Sequence, residues 1–386
     1  MCAKTSWTGV RALALAMLGV LAWGAPQAEL KPEKIPNVAT LAVPYSGTYA
    51  VVHDLAFSGL IDSKFSLVDT QTRRMMGMLS AGQFATLDFS LARQKFYVGE
   101  TIHTRGSRGQ RQDLIAVYDF ANLSVVNEID IPPKRMNVVV NEAATAITPD
   151  DELLLVSNMN PATSVTVIDL DTEQVVGEIA TPGCSMIYPQ TQGGFFTLCG
   201  NGGLVAIGLD DEGNETGRWA SDAFNDIDSD PLSEKAALIN GVWYFISYGG
   251  QVQPIDATGA KPTLLPRWSV TTEDEHADGW RPAGWHGKGA HDDGYLWVAM
   301  TPDGYEGSHK DPATQVWLIE LDGKKRLRQI DLQVPALSIT TSGGKEPRLL
   351  VVNIEGSLDV YGAMSGEYLH SINAMGDTPY MVHAVD

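Results

Sequence analysis

The chain is short of cysteine, of cations and of helical periodicity, and each shortage removes a class of function. Only three cysteines occur in 386 residues, at Cys2, Cys184 and Cys199, so no cysteine-rich metal spacing exists. Lys and Arg number 27 against 47 Asp and Glu, for a formal charge of −20. So acidic a surface argues against nucleic acid as a partner, because phosphates demand Lys and Arg. It would instead steer a basic patch on a protein partner. No apolar run approaches the roughly 20 residues that cross a bilayer, and no membrane anchor is expected. Apolar residues at helical spacing are nearly missing, and residues 272–278 alone read as a short polar helical turn. A Gly-x-Ser-x-Gly nucleophile elbow is absent. Cys199-Gly200-Asn201-Gly202-Gly203 has neither the following helix nor the Lys-Ser/Thr of a phosphate loop, and reads as a tight hairpin turn.

The N-terminus has the layout of a secretory signal peptide. Lys4 and Arg11 supply the basic start, residues 12–21 the apolar run, and Gly24, Ala25 and Ala28 the small cleavage positions. A leader over residues 1–28 would leave residues 29–386 as one exported domain. Its removal takes two cations with it and moves the charge to about −22. In an exported chain the remaining pair, Cys184 and Cys199, reads as a disulfide closing a loop of about 15 residues. A two-cysteine metal site is the rival reading, and no His lies nearby in sequence to complete it.

What is abundant is repetition. Strand-like segments end in an apolar-apolar-acid step, cross a polar turn and resume. Leu67-Val68-Asp69, Val117-Tyr118-Asp119, Val167-Ile168-Asp169 and Ile207-Gly208-Leu209-Asp210 are such marks; Pro254-Ile255-Asp256, Leu318-Ile319-Glu320 and Asp359-Val360-Tyr361 are looser ones. They recur every 41 to 64 residues or so, the period of four-stranded propeller blades. One unit shows the grammar: residues 143–148, the turn Pro149-Asp150-Asp151, residues 153–157, residues 165–170, the turn Asp171-Thr172-Glu173 and residues 175–179. The expectation is an all-β fold, a seven-bladed β-propeller with four-stranded antiparallel blades. The blades are placed at 47–80, 84–132, 142–182, 184–220, 232–270, 280–332 and 336–374. A tail strand over 378–385 closes the ring against the first blade. A β-solenoid or two adjacent sandwiches would be the alternatives.

Chemistry is harder to find. The eight histidines are scattered and read as surface or loop residues, including His286 and His291 on a loop. The run Asp226-Ile227-Asp228-Ser229-Asp230 reads as a solvated loop, with calcium binding as the sharper alternative. Trp243, Trp280, Trp285, Trp297 and Trp317 read as blade packing. A chain this long without a catalytic cluster is a scaffold, a binder or one subunit of an enzyme.

Several stretches decide among these. Thr104-Arg105-Gly106-Ser107-Arg108-Gly109-Gln110-Arg111-Gln112-Asp113, Pro132-Pro133-Lys134-Arg135, Pro161-Ala162-Thr163-Ser164-Val165 and Gly183-Cys184 through Phe195-Phe196-Thr197-Leu198-Cys199-Gly200 resemble the heavy subunit of the tryptophan tryptophylquinone amine dehydrogenases. Gly279-Trp280-Arg281-Pro282-Ala283-Gly284-Trp285 resembles the methylamine branch, and Pro302-Asp303-Gly304-Tyr305-Glu306-Gly307-Ser308-His309-Lys310 the aromatic amine branch. The markers keep family order across the mature chain, and the Cys184/Cys199 pair sits where the family carries its heavy-chain disulfide.

The resemblance implies oxidation of a primary amine to aldehyde and ammonia in the periplasm. Quinone and catalytic base would lie on a separate small, cystine-rich subunit, so no catalytic residue and no cofactor or metal is expected on this chain. Two large and two small subunits would assemble, and electrons would pass to a blue copper protein or a cytochrome. The family's channel phenylalanine follows a Gly-Met step. Here Gly77-Met78 leads to Phe84 at a spacing one residue longer, so Phe84 reads either as that channel residue or as a blade-core aromatic. Two other functions compete. One is a stand-alone periplasmic propeller that acts as a binding module without redox activity. The other is a propeller hydrolase such as a lactonase, which needs a divalent metal ringed by carboxylates, a pattern the acidic loops do not show by spacing.

Overall fold

The computed structural model describes residues 39–386 apart from 60, 292 and 293, with only the backbone at 291. The leader read at residues 1–28 lies outside the described residues. Within the unit Thr40–Asp386 the chain is built almost wholly of short antiparallel strands. The second blade shows why. Gln83–Ser90, Lys95–His103, Arg111–Asp119 and Val125–Ile131 pair in sequence order. The middle strand Arg111–Asp119 is buried on both faces from Asp113 to Tyr118, whereas the outer strand Val125–Ile131 is mostly exposed. A strand covered on both sides loses its alternation and reads as an apolar run. What covers it is the next blade: Tyr97, Ile115, Val117, Ile129 and Ile131 pack against Leu154, Val156, Ile168 and Leu170. Each such fully buried aliphatic side chain contributes about 1.5–3 kcal/mol.

The apolar-apolar-acid marks lie at the ends of the third strands, where the acid turns the chain. Asp69 accepts the N–H groups of Gln71 and Thr72, Asp119 those of Ala121 and Asn122, Asp169 that of Thr172 and Asp256 that of Thr258. These are Asx turns, in which a short carboxylate replaces a backbone acceptor. Glu273–Ala277 forms the expected helical turn, with Thr272 and Glu275 as a capping box.

The seven separate four-stranded blades expected from the repeat are not what the structure contains. Five blades are discrete: Pro379–Ala384 with the three strands between Tyr49 and Ala81, then the sheets over 83–131, 145–180, 184–220 and 237–269. The remaining stretch, expected as two blades at 280–332 and 336–374, is one continuous eight-stranded sheet. The cause is the 17-residue strand Lys325–Thr341. Its first half pairs with Ala313–Glu320, its second half with Arg348–Asn353 and, in parallel, with His286 and Gly287. Gln333-Val334-Pro335 offers no Gly, Asn or Asp to reverse the chain, so the strand runs through what looked like a boundary.

The tail strand is observed as Pro379–Ala384, paired with Tyr49–Asp54. Asp54, 1% exposed, accepts the N–H groups of Ala56, Asp377 and Thr378 and so fastens the last turn to the first strand. Ala50, Val52 and Val68 then pack on Leu350, Val352, Leu358 and Val360 of the eight-stranded sheet.

Candidate functional site

The parallel contact at His286 and Gly287 shows adjacent inner strands running the same way. The antiparallel meander then puts all connections that follow second and fourth strands at one end of the propeller. The Asx turns occupy the other. The long connections of the first end expose several large apolar residues, Phe57 (42%), Ile61 (48%), Val138 and Val139 (39% each), Tyr305 (64%) and Ile354 (50%), while others of this kind lie on the outer strands.

Phe84 stands at this end. It is half-buried and packs beside Trp285 on a cluster of Leu55, Val140, Tyr380 and Met381. The Trp285 and Tyr380 rings lie 5.6 Å apart, and His286 meets Tyr380 edge-on at 5.8 Å. Trp285 Nε1 and the Tyr380 hydroxyl are buried without a hydrogen-bond partner in the described structure. The local backbone is unusual. Phe84 has φ 45°, in the left-handed region, and the pairing of its strand shifts register between Gln83 and Thr86. A β-bulge of this kind re-aims a side chain and leaves carbonyls without ladder partners. Gly82 is required just before it, since a Cβ there would lie 2.6 Å from the Thr101 carbonyl oxygen. The Gln83 and Phe84 carbonyls accept from Arg135, 1% exposed.

Beyond this aromatic mouth a cavity of about 510 Å3 follows the propeller axis, lined among others by Asp88, Asn141, Glu142, Lys235, Trp243 and His383. Both signs of charge meet there. Lys235 Nζ is 2.8 Å from Glu234 Oε1 and lies 5.2 Å from the centre of the Trp285 ring; His383 Nδ1 is 3.5 Å from Glu142 Oε1. Burial, then the neighbouring Asp88, pushes the Glu142 carboxyl up to about 7. Burial pushes Asp88 up to about 6 and, reinforced by Lys235, takes Lys288 down to about 7. Burial alone lowers His383 to about 4, which keeps it neutral at neutral pH. The expectation of surface or loop histidines is therefore corrected: His53 and His286 are 0% and 4% exposed, and His383 lines the cavity. Their strands face the axis or a neighbouring blade, which residue spacing alone did not reveal.

The cysteines meet as expected for a disulfide. Cys184 and Cys199 are direct cross-strand partners in Cys184–Pro189 and Phe195–Cys199, bonded at 2.01 Å. Asp226 accepts the N–H groups of Asp228 and Ser229, while Asp230 accepts from Ser247 Oγ and the Gly249 N–H. Among the described residues no group of three or more His, Cys, Asp or Glu is placed to hold a metal ion. Two tryptophans, Trp280 and Trp317, do approach each other, at 5.2 Å. Trp317 is nevertheless committed to packing, with Nε1 on Gln315 Oε1 and the Arg326 guanidinium over its ring at 4.2 Å. Sequence reasoning singled out neither Tyr380 nor the axial charges as site residues. Residues 88, 288 and 383 come from three different strands, 142 from the 3-10 turn Glu142–Ala144 and 235 from the loop before Ala237–Ile239, and no local pattern unites them.

Fold and site together define a β-propeller whose open end carries an apolar rim and an aromatic mouth. The chain belongs to the methylamine dehydrogenase heavy chain family, whose profile matches residues 49–386. It is accordingly the large subunit of an amine dehydrogenase, a class that works with a small-subunit partner. The methylamine dehydrogenase heavy chain of Methylophilus methylotrophus is 27% identical over 328 residues, covering 83% of this chain and 79% of its own length. That of Methylorubrum extorquens is 26% identical over 375 residues, covering 95% and 90%. Among solved structures, the β-propeller domain of Cps50 (Swd1) from Myceliophteria thermophila superposes with a TM-score of 0.54 at 10% identity, covering 84% of this chain and 99% of that one. That last likeness concerns the fold alone.

Proposed function

We propose that this chain is the exported, periplasmic large subunit of a quinone-dependent amine dehydrogenase, which seats a quinone-bearing small subunit on its apolar end and walls the substrate channel with Phe84. The reaction converts a primary amine and water to an aldehyde and ammonia, releasing two protons and two electrons. A tryptophan tryptophylquinone on the small subunit would supply the electrophilic carbonyl and take up those electrons. They would leave to a blue copper protein or a cytochrome, from an assembly of two large and two small subunits.

The observation that carries the reading is the place of Phe84: at the mouth, beside Trp285 and Tyr380, encircled by the connections that expose Phe57, Val138, Val139 and Tyr305. Apolar rims of this kind mark protein contacts. A docked subunit would cover them and leave Phe84 as a wall that excludes water and orients the alkyl part of an amine. Trp285 Nε1 and the Tyr380 hydroxyl, lacking partners within the described chain, are donors that the small subunit or an ordered water can satisfy.

The test is to isolate this chain from its native periplasm and record the visible spectrum of what accompanies it. A small partner with quinone absorption that bleaches on adding a primary amine is expected, and varying the amine identifies the substrate. A colourless chain without a small partner would overturn the proposal in favour of a stand-alone binding propeller.

A further inference from the structure

Arg135 is the most thoroughly bonded side chain near the mouth. Nη1 donates to the Phe84 carbonyl at 3.1 Å and Nη2 to the Gln83 carbonyl at 3.0 Å. Nε and Nη2 also reach Thr101 Oγ1, at 3.3 and 3.0 Å. Its own backbone is held from the other side. The Arg135 N–H donates to Asp113 Oδ2 at 2.9 Å, and its carbonyl accepts from Arg111 Nη2 at 2.8 Å. Arg111 in turn grips Asp113 with two bonds, at 2.8 and 2.7 Å, and Thr101 Oγ1 donates to Asp113 Oδ1. Asp113 and Arg135 are each 1% exposed.

This network is built around a conformation that the chain would not adopt alone. A phenylalanine at φ 45° is disfavoured, and a bulge surrenders the ladder bonds that would hold it. The fork of a guanidinium can take two adjacent carbonyls at once, which the single ammonium of Lys cannot do with fixed direction. Burial lowers the Arg135 guanidinium to about 10, which still leaves it charged at neutral pH and able to donate from every nitrogen.

We propose that Arg135 is a positioning residue for amine selection: by bonding the Gln83 and Phe84 carbonyls it fixes the left-handed turn that sets the Phe84 ring at the channel mouth. The proposal rests on the reading of Phe84 as a channel wall. Arg135 touches no substrate; it decides where a residue that does so stands. The Arg111–Asp113 pair, at the base of the hairpin around residues 104–110, extends the same control outward.

The test compares four forms of the assembled enzyme: wild type, Phe84→Ala, Arg135→Lys and the double variant. Each is assayed with methylamine, butylamine and 2-phenylethylamine. Phe84→Ala is expected to shift the ratio of kcat/KM between the smallest and largest amine by about ten-fold, the usual scale for reshaping an apolar pocket. Arg135→Lys should shift the same ratio in the same direction, mainly through KM, with the rate at saturating amine little changed. In the Phe84→Ala background, Arg135→Lys should add less than about two-fold, because residues acting through one another are not additive. If Phe84→Ala moves the ratio and Arg135→Lys does not, or if the two effects multiply, the positioning role is wrong while the channel reading stands. If Phe84→Ala leaves the ratio at its wild-type value, the channel reading itself fails. Should Arg135→Lys not accumulate as folded enzyme, Thr101→Val removes the hydroxyl that accepts from Nε and Nη2. It is expected to shift the ratio the same way by a smaller factor, and an unshifted ratio would overturn the proposal.

Discussion

Glu142, which lines the axial cavity, and Lys288, whose charge acts on it, show at the residue scale how burial trades stability for charge. The Glu142 carboxyl stands at about 7 in the fold against 4.5 in a free chain, raised by burial and by Asp88. Below pH 4.5 both states are protonated, and the group has no effect. Between 4.5 and 7 the unfolded chain ionises first, so the fold loses stability as pH rises, and the loss is complete above 7. Because the side chain keeps 49% of its surface accessible within the cavity, solvent screening leaves about 1 kcal/mol of this effect. Glu142→Gln should therefore melt with wild type at pH 4 and about 2 °C above it at pH 8. Lys288, lowered from 10.5 to about 7, has the opposite sign. Its cost grows as pH falls from 10.5 and is complete below 7. Lys288→Met should consequently gain most near pH 6 and nothing near pH 11. Melting curves across this range check both, and parallel curves for wild type and variants would show that both charges are fully solvated in the fold.

At the scale of elements, the disulfide joins two strands that are already paired. Cys184 and Cys199 face each other across Cys184–Pro189 and Phe195–Cys199, in a sheet where Tyr188 stacks on Phe196 and meets Phe245 of the next blade edge-on. A bond closing about 15 residues restricts the unfolded chain by about 3 kcal/mol on the entropic view. Cys184→Ser combined with Cys199→Ser should lower the urea midpoint correspondingly with little change in slope. Retention of the folded blade is expected, because Ile187, Tyr188, Phe195 and Phe196 are 0–1% exposed and their burial does not depend on the bond. These strands and their pairing were legible in the sequence, since Cys184 and Cys199 at the far ends of two short apolar runs flanking a turn leave few arrangements. Phe84 was only half legible. Its residue type and its place after Gly77-Met78 could be read, but its left-handed turn depends on Arg135, 51 positions away in the chain. No local pattern encodes such a contact.

Across the whole molecule, the repeat announced a propeller because Asx turns recur at the third-strand ends Asp69, Asp119, Asp169 and Asp256. The fused eight-stranded sheet was not legible, because Pro335 reads as a chain reversal between two strands whereas the strand Lys325–Thr341 runs straight through it. Closure of the ring was legible in the apolar tail, and it carries the strongest prediction about the fold. Pro379–Ala384 is hydrogen-bonded to Tyr49–Asp54, and its Tyr380, Met381 and Val382 are 6%, 1% and 1% exposed, with Val385 at 0% just beyond. Removing residues 379–386 would strip these side chains from three separate clusters and leave Tyr49–Asp54 as an open edge. At about 2 kcal/mol for each of Met381, Val382 and Val385, the loss approaches the 5–15 kcal/mol that holds a typical protein folded. The truncated chain should lose its cooperative unfolding transition and aggregate on concentration, as read by calorimetry and light scattering. Supplying residues 376–386 as a separate peptide should partly restore the transition, because the edge it would fill is preformed by its pairing with Ser63–Asp69. A truncated chain that stays monomeric and melts at the wild-type temperature would mean that the ring is held by its sheet-to-sheet packing alone.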